Sequence, residues 1–179
     1  MDIRTLLQAE HDLYRARLEE LGAELEAGNR VVEPEVPFVV EGAGTLERVR
    51  IVDFVVAEDE GEAPRAVELG PGPVIGHPPL ALAAGGVDLL VRGLAWDRVH
   101  LDPGPLEIAD EVLAPLLARW QWEPEEQALP EASGHIHSVR RVDNGIVVDL
   151  GTAPPEAFLD LIACLGAAGI GELAVTVAE

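Results

Sequence analysis

His135-Ile136-His137-Ser138-Val139-Arg140-Arg141-Val142-Asp143-Asn144-Gly145-Ile146-Val147-Val148-Asp149-Leu150 is the stretch that decides the fold. Two β-branched runs, His135 to Val142 and Ile146 to Leu150, flank Asp143-Asn144-Gly145, a hairpin signal that implies antiparallel pairing. A three-residue loop with Gly145 left-handed puts Ile136 and Val142 on the face of Ile146, Val148 and Leu150. A two-residue loop puts His135 and His137 on that apolar face instead, so the pattern favours the longer loop.

Downstream, Pro154-Pro155 opens a helix through Phe158, Leu161, Ile162 and Leu165, and Gly166 to Gly171 turns the chain into a last strand, Leu173 to Val177. Upstream, Val87 to Arg92 and Trp96 to Asp102 read as strands. Pro103-Gly104-Pro105 then breaks the chain before a helix to about Trp120, which Pro115 must kink or split. Val36 to Glu41 and Leu46 to Ala57 form a further hairpin around Gly42-Ala43-Gly44, with Val49, Ile51 and Val55 on the core side and Arg48, Arg50 and Phe54 on the other. At the N-terminus, Ile3, Leu7, Tyr14, Leu18, Leu21 and Leu25 recur at helical spacing over Asp2 to Ala27, and Gly28-Asn29 stops the helix. Glu58 to Pro79 reads as a long, mobile, acidic loop rich in Pro and Gly, and Gln121 to Gly134 as a linker. This order predicts a single α+β domain over residues 1–179. It is a two-layer sandwich whose sheet is mostly antiparallel and whose helices lie mainly on one face.

Charge bounds the function. All 12 basic residues are arginine, against 33 Asp and Glu, which gives a formal net charge of -21 at pH 7. A GC-rich codon bias of a bacterial genome accounts for arginine in place of lysine, but not for the acid excess. Such a charge repels nucleic-acid phosphates and anionic membranes and attracts basic partners. Hydrophobic residues are 48% of the chain, too many for wholesale disorder. With neither a leader-like start nor an apolar run of bilayer length, the chain reads as cytoplasmic. Cys164, the one cysteine, sits among Leu161, Ile162 and Leu165 as a small buried thiol.

Few residues suggest chemistry. Ser133 and Ser138, the only serines, stand in no nucleophile elbow, so no catalytic residue is assigned. Gly70-Pro71-Gly72-Pro73 lacks the amides of a phosphate cradle. His135 and His137, at i and i+2 of a strand, point to one side, as do His100 and Asp102; were the two strands neighbours, the four could hold zinc, with metal-dependent hydrolysis as the accompanying activity. The alternative, which the charge favours, is a non-enzymatic acidic protein engaging a basic protein partner in an immunity, inhibitor or chaperone-like role. In size, charge and mixture of helix and sheet the chain resembles small acidic bacterial secretion chaperones and immunity proteins, a likeness that carries no residues over. The acidic runs Glu58, Asp59, Glu60 and Glu62, and Glu123, Glu125 and Glu126, are the segments expected to meet that partner. A third expectation makes the chain a structural subunit of a larger assembly, or a homo-oligomer, through the Ile3 to Leu25 stripe.

Overall fold

A computed structural model describes residues 2–28, 30–57, 63–121 and 134–179. It is an α+β structure of two sheets and three helices. The first helix, α1 (Ile3–Ala27), starts at Asp2, whose carboxylate accepts the Thr5 amide at 2.9 Å. β1 (Val31–Val39), β2 (Val49–Ala57) and β3 (Arg65–Val67) form a three-stranded antiparallel sheet in the order β1-β2-β3. β4 (Leu80–Ala84), β5 (Val87–Val91), β6 (Val99–Asp102), β7 (Ser138–Val142), β8 (Gly145–Asp149) and β9 (Glu172–Val177) form the second sheet, ordered β4-β5-β9-β6-β8-β7. In it only the β5–β9 ladder is parallel. Between these strands run α2 (Asp110–Trp120) and α3 (Pro155–Ala167). No helix among the described residues is long and apolar enough to cross a membrane.

The core follows from the period-two pattern of the second sheet. Leu89 and Val91, Val99 and Leu101, Ile146 and Val148, and Leu173 and Val175 are buried with Leu113 and Leu116 of α2 and Phe158, Leu161 and Leu165 of α3. The stripe on α1 packs on the chain's own body. Leu6, Leu7 and Tyr14 enter this core, while Leu25 meets Phe54 and Val56 of β2, so α1 straddles the two sheets. Ile3, Leu18 and Leu21 of the same stripe are only partly buried.

Several expectations are corrected. The β7–β8 register pairs Val142 with Gly145 and Val139 with Val148, which is a two-residue turn. Gly145 has the expected positive φ, 123°, and the position admits no side chain, since a Cβ there would meet the Leu101 carbonyl oxygen at 2.0 Å. Phe54 lies in the core rather than on a polar face, packed with Val56 against Leu25, Leu18 and Leu21 of α1. α2 is one helix with Pro115 inside it. Strands β3 and β4 add to the four expected ahead of α2. Much of the expected loop after Ala57 is pinned: β3 pairs with β2, the Leu69 amide bonds Asp53, Arg17 holds the Gly70 carbonyl, and Arg98 holds that of Gly72 at 2.8 Å.

Candidate functional site

The two sheets meet at His137. Its amide donates to the Asp149 carbonyl of β8 at 3.0 Å, and its carbonyl accepts the Ile51 amide of β2 at 2.9 Å. The main chain thus fixes the ring between the sheets, where 1% of the residue is exposed. On one side of the ring Nε2 lies 3.3 Å from Glu35 Oε1; on the other Nδ1 lies 3.3 Å from Asp53 Oδ1.

Glu35 and Asp53 come from facing positions of β1 and β2, where the ladder pairs Pro34 with Phe54 and Val36 with Val52. Like charges directly opposite destabilise a strand pair, so these two carboxylates need a cation between them, and His137 supplies it. Glu35 also adopts φ 48°, the left-handed region that a side chain enters at a cost of about 1 kcal/mol or more. That turn of the backbone aims its carboxylate inward.

Around this triad the donors are orderly. The Tyr14 hydroxyl donates to Asp53 Oδ1 at 2.7 Å, and the Leu69 amide to Oδ2 at 2.6 Å. Thr152 donates its hydroxyl to Glu35 Oε1 and accepts the His135 amide at 3.0 Å; His135 Nδ1 is 3.5 Å from that Glu35 oxygen. Burial works against ionised Glu35, but hydrogen bonds from His135, His137 and Thr152 outweigh it and hold the carboxyl well below the usual range. Asp53 is lowered in the same way: burial opposes its charge, and His137, the Leu69 amide and Tyr14 overcome that. Burial likewise disfavours the imidazolium, yet its bonds to Asp53 and Glu35 raise His137 to about 10. Tyr14 is pushed upward by burial and by Asp149 and Asp53, so it stays a neutral donor.

Two open spaces flank the array. On the Asp53 side a cavity of about 190 Å³ is lined by Tyr14, Asp53, Asp97, Arg98, His137 and Asp149. Asp149 accepts the Gly151 amide at 2.9 Å, and burial, aggravated by Asp53, pushes its carboxyl up to about 7 despite the nearby imidazolium. On the Glu35 side a groove of about 480 Å³ runs between α1 and β1, with Leu18, Pro34 and Phe54 as apolar lining and Glu19, Glu26 and Glu35 as acids. Both ring nitrogens of His137 are thus engaged, Nε2 by Glu35 and Nδ1 by Asp53. The array is built to hold charge in place.

Gly151 makes room for the ring. At φ 52°, a Cβ there would sit 2.1 Å from His137 Cδ2. Gly151→Ala is therefore expected to destabilise the fold by about 2–4 kcal/mol, the sum of left-handed strain and a displaced ring. Urea denaturation checks this; a loss under about 1 kcal/mol would mean that the ring is not seated against that backbone.

The residues named from sequence fall into separate places. His135 and His137 come together, joined by Glu35 and Asp53. His100 lies on β6, donating from Nε2 to the Asn144 carbonyl at 3.2 Å and meeting the Thr176 hydroxyl at 3.0 Å, while Asp102 accepts the Gly104 amide at 2.7 Å. Strand β8 separates β6 from β7; His100 reaches one end of β8 and His137 the other, so the four do not converge. Among the described residues no group of three or more His, Cys, Asp or Glu is arranged to hold a metal ion. Glu58, Asp59, Glu60, Glu62, Glu123, Glu125 and Glu126 lie outside the described residues. Sequence reading missed Glu35, Asp53 and Asp149, although lone acids in Ile51-Val52-Asp53-Phe54-Val55-Val56 and Ile146-Val147-Val148-Asp149-Leu150 were a signal of buried, partnered charge. No family model, curated protein or solved structure matches this chain, so the function rests on this geometry alone.

Proposed function

We propose that the protein is a non-catalytic binding protein whose acidic surface engages a basic protein partner, in the manner of an inhibitor, an immunity protein or a chaperone. The observation that supports this most directly is the α1–β1 groove, where exposed Glu19 and Glu26 and partly buried Glu35 share the lining with Leu18, Pro34 and Phe54. Acids beside apolar lining suit a basic segment, whose stems are apolar and whose heads are cationic. The chain's net charge of -21 raises the encounter rate with such a partner, and the acidic runs at 58–62 and 123–126 add to the same field.

The test is binding of an arginine-rich peptide followed by calorimetry. Raising NaCl from about 50 mM to about 300 mM is expected to weaken binding roughly tenfold, because the contacts are exposed ion pairs. An affinity indifferent to salt, or absence of binding at low salt, would sink the reading.

A zinc site on His135 and His137, the pair of the expected four that comes together, is the second reading. It requires His137 to give up its proton to the metal. Elemental analysis of untagged protein decides: about one zinc per chain would put this reading first.

A further inference from the structure

We propose that the α1–β1 groove is a receptor site for one arginine side chain of the basic partner, its guanidinium on the carboxylate of Glu35 and its stem along Leu18 and Phe54. The assignment rests on the reading above and makes it specific to one site.

Shape comes first. Gly22 and Ala23 of α1 face Pro34 and Phe54 across the groove. Gly22 packs directly on the Phe54 ring, where a Cβ would lie 3.2 Å from Cζ, so the absent side chain lets α1 close against the ring that forms the groove's apolar wall. At about 480 Å³ the groove falls within the usual range of ligand pockets, roughly 300–1,000 Å³.

Charge comes second. The bonds that Glu35 accepts from Thr152, His137 and His135 converge on Oε1, while 24% of the side chain remains exposed along the groove. Oε2 is therefore the oxygen a ligand meets. Behind it, the array of Glu35, His137 and Asp53 sums two carboxylates against one imidazolium, so a negative charge is left over for a cation entering from outside. Glu35 also carries the strained φ of 48°, and strain of this kind is retained where surrounding structure enforces a particular presentation.

Arginine suits the site better than lysine. Its planar head stacks on flat apolar surface while its fork of N–H groups engages carboxylates, whereas an ammonium keeps its water. The rim already holds one guanidinium, that of Arg15 on Glu19 at 3.5 Å.

The experiment titrates the labelled protein with an arginine-rich peptide, the same peptide with lysine, and the same with neutral citrulline, reading amide shifts and affinity by NMR. Shifts are expected at Gly22, Ala23, Gly134 and Thr152, with the lysine peptide several-fold weaker and the citrulline peptide not bound. Ala23→Arg, which plants a guanidinium at an exposed helix position lining the groove, should weaken binding about tenfold more than Ala16→Arg, which makes the same charge change at an exposed α1 position outside the groove lining. Glu35→Gln should weaken binding comparably, and Ala23→Arg keeps the question open to test should that variant fold poorly. Equal effects of Ala23→Arg and Ala16→Arg, or shifts away from the groove, would overturn the arginine site while leaving an acidic binding protein. Failure of every basic peptide to bind at low salt would overturn both.

Discussion

Replacing His137 by alanine is expected to destabilise the protein by about 3–5 kcal/mol, as removal of one partner from a buried charge cluster does. The cause is less the lost ring than what it leaves. Glu35 and Asp53 face each other across β1 and β2, and the imidazolium lies 3.3 Å from each. Without it, buried Asp53 and half-buried Glu35 oppose one another with no cation between them. For a chain of this size the loss amounts to a drop of roughly 6–20 °C in the thermal midpoint. The diagnostic is non-additivity. Glu35→Gln in the His137→Ala background should restore part of the stability, because it removes one of the repelling charges, whereas Glu35→Gln alone should destabilise. A His137→Ala loss below about 1 kcal/mol, or strictly additive losses in the double variant, would show that the ring is not the counter-charge of this pair.

Stability is also expected to peak on the acid side of neutrality, and Asp149→Asn to be more stable than the parent in mild alkali. The signs follow from the groups at the array. His137 is raised from 6.5 to about 10, so its contribution is complete below about pH 6.5 and is lost as pH climbs towards 10. Asp149 is raised from 3.8 to about 7, so the fold favours its protonated form. Ionising it costs stability, a cost absent below about pH 3.8 and complete above about pH 7. Glu35 and Asp53 are lowered; their contribution is present above the ordinary carboxylate range and is lost as pH falls through and below it. The first two groups make rising pH unfavourable and the last two make strong acid unfavourable, which places the maximum near about pH 5. At about pH 8 Asp149→Asn should gain roughly 2 kcal/mol, since the amide keeps an acceptor for the Gly151 N–H without the buried charge. Near about pH 5 the gain should shrink. Denaturation curves across this range decide the matter. A parent stability that is flat from about pH 5 to about pH 9, or an Asp149→Asn variant equally destabilised at both ends, would contradict the assignment of Asp149.

How much of this was legible in the chain depends on the range of the interaction. The β7–β8 hairpin, the N-terminal helix with its stripe from Ile3 to Leu25, and α3 after Pro154-Pro155 were readable because turn residues, helical periodicity and proline act within a few positions. The hairpin register was not. Apolar Ile136 and Val142 favoured a longer loop, yet His135 and His137 could lie on the buried side because carboxylates from β1 and β2, distant in sequence, were there to receive them. β3 and β4 escaped for simpler reasons: Arg65-Ala66-Val67 is too short to show alternation, and Leu80-Ala81-Leu82-Ala83-Ala84 hides it behind small apolar residues on the exposed side.

By itself, then, the sequence determined the α+β class, the charge of -21 and the faces that local periodicity writes into each element, because these depend on composition and on neighbours in the chain. Only the tertiary structure decided that His137 is a buried cation, that Glu35 and Asp53 are its counter-charges and that a groove opens beside Gly22. A buried charge is stable only where opposite charges from other elements close around it, and that convergence is a property of the packed sheets.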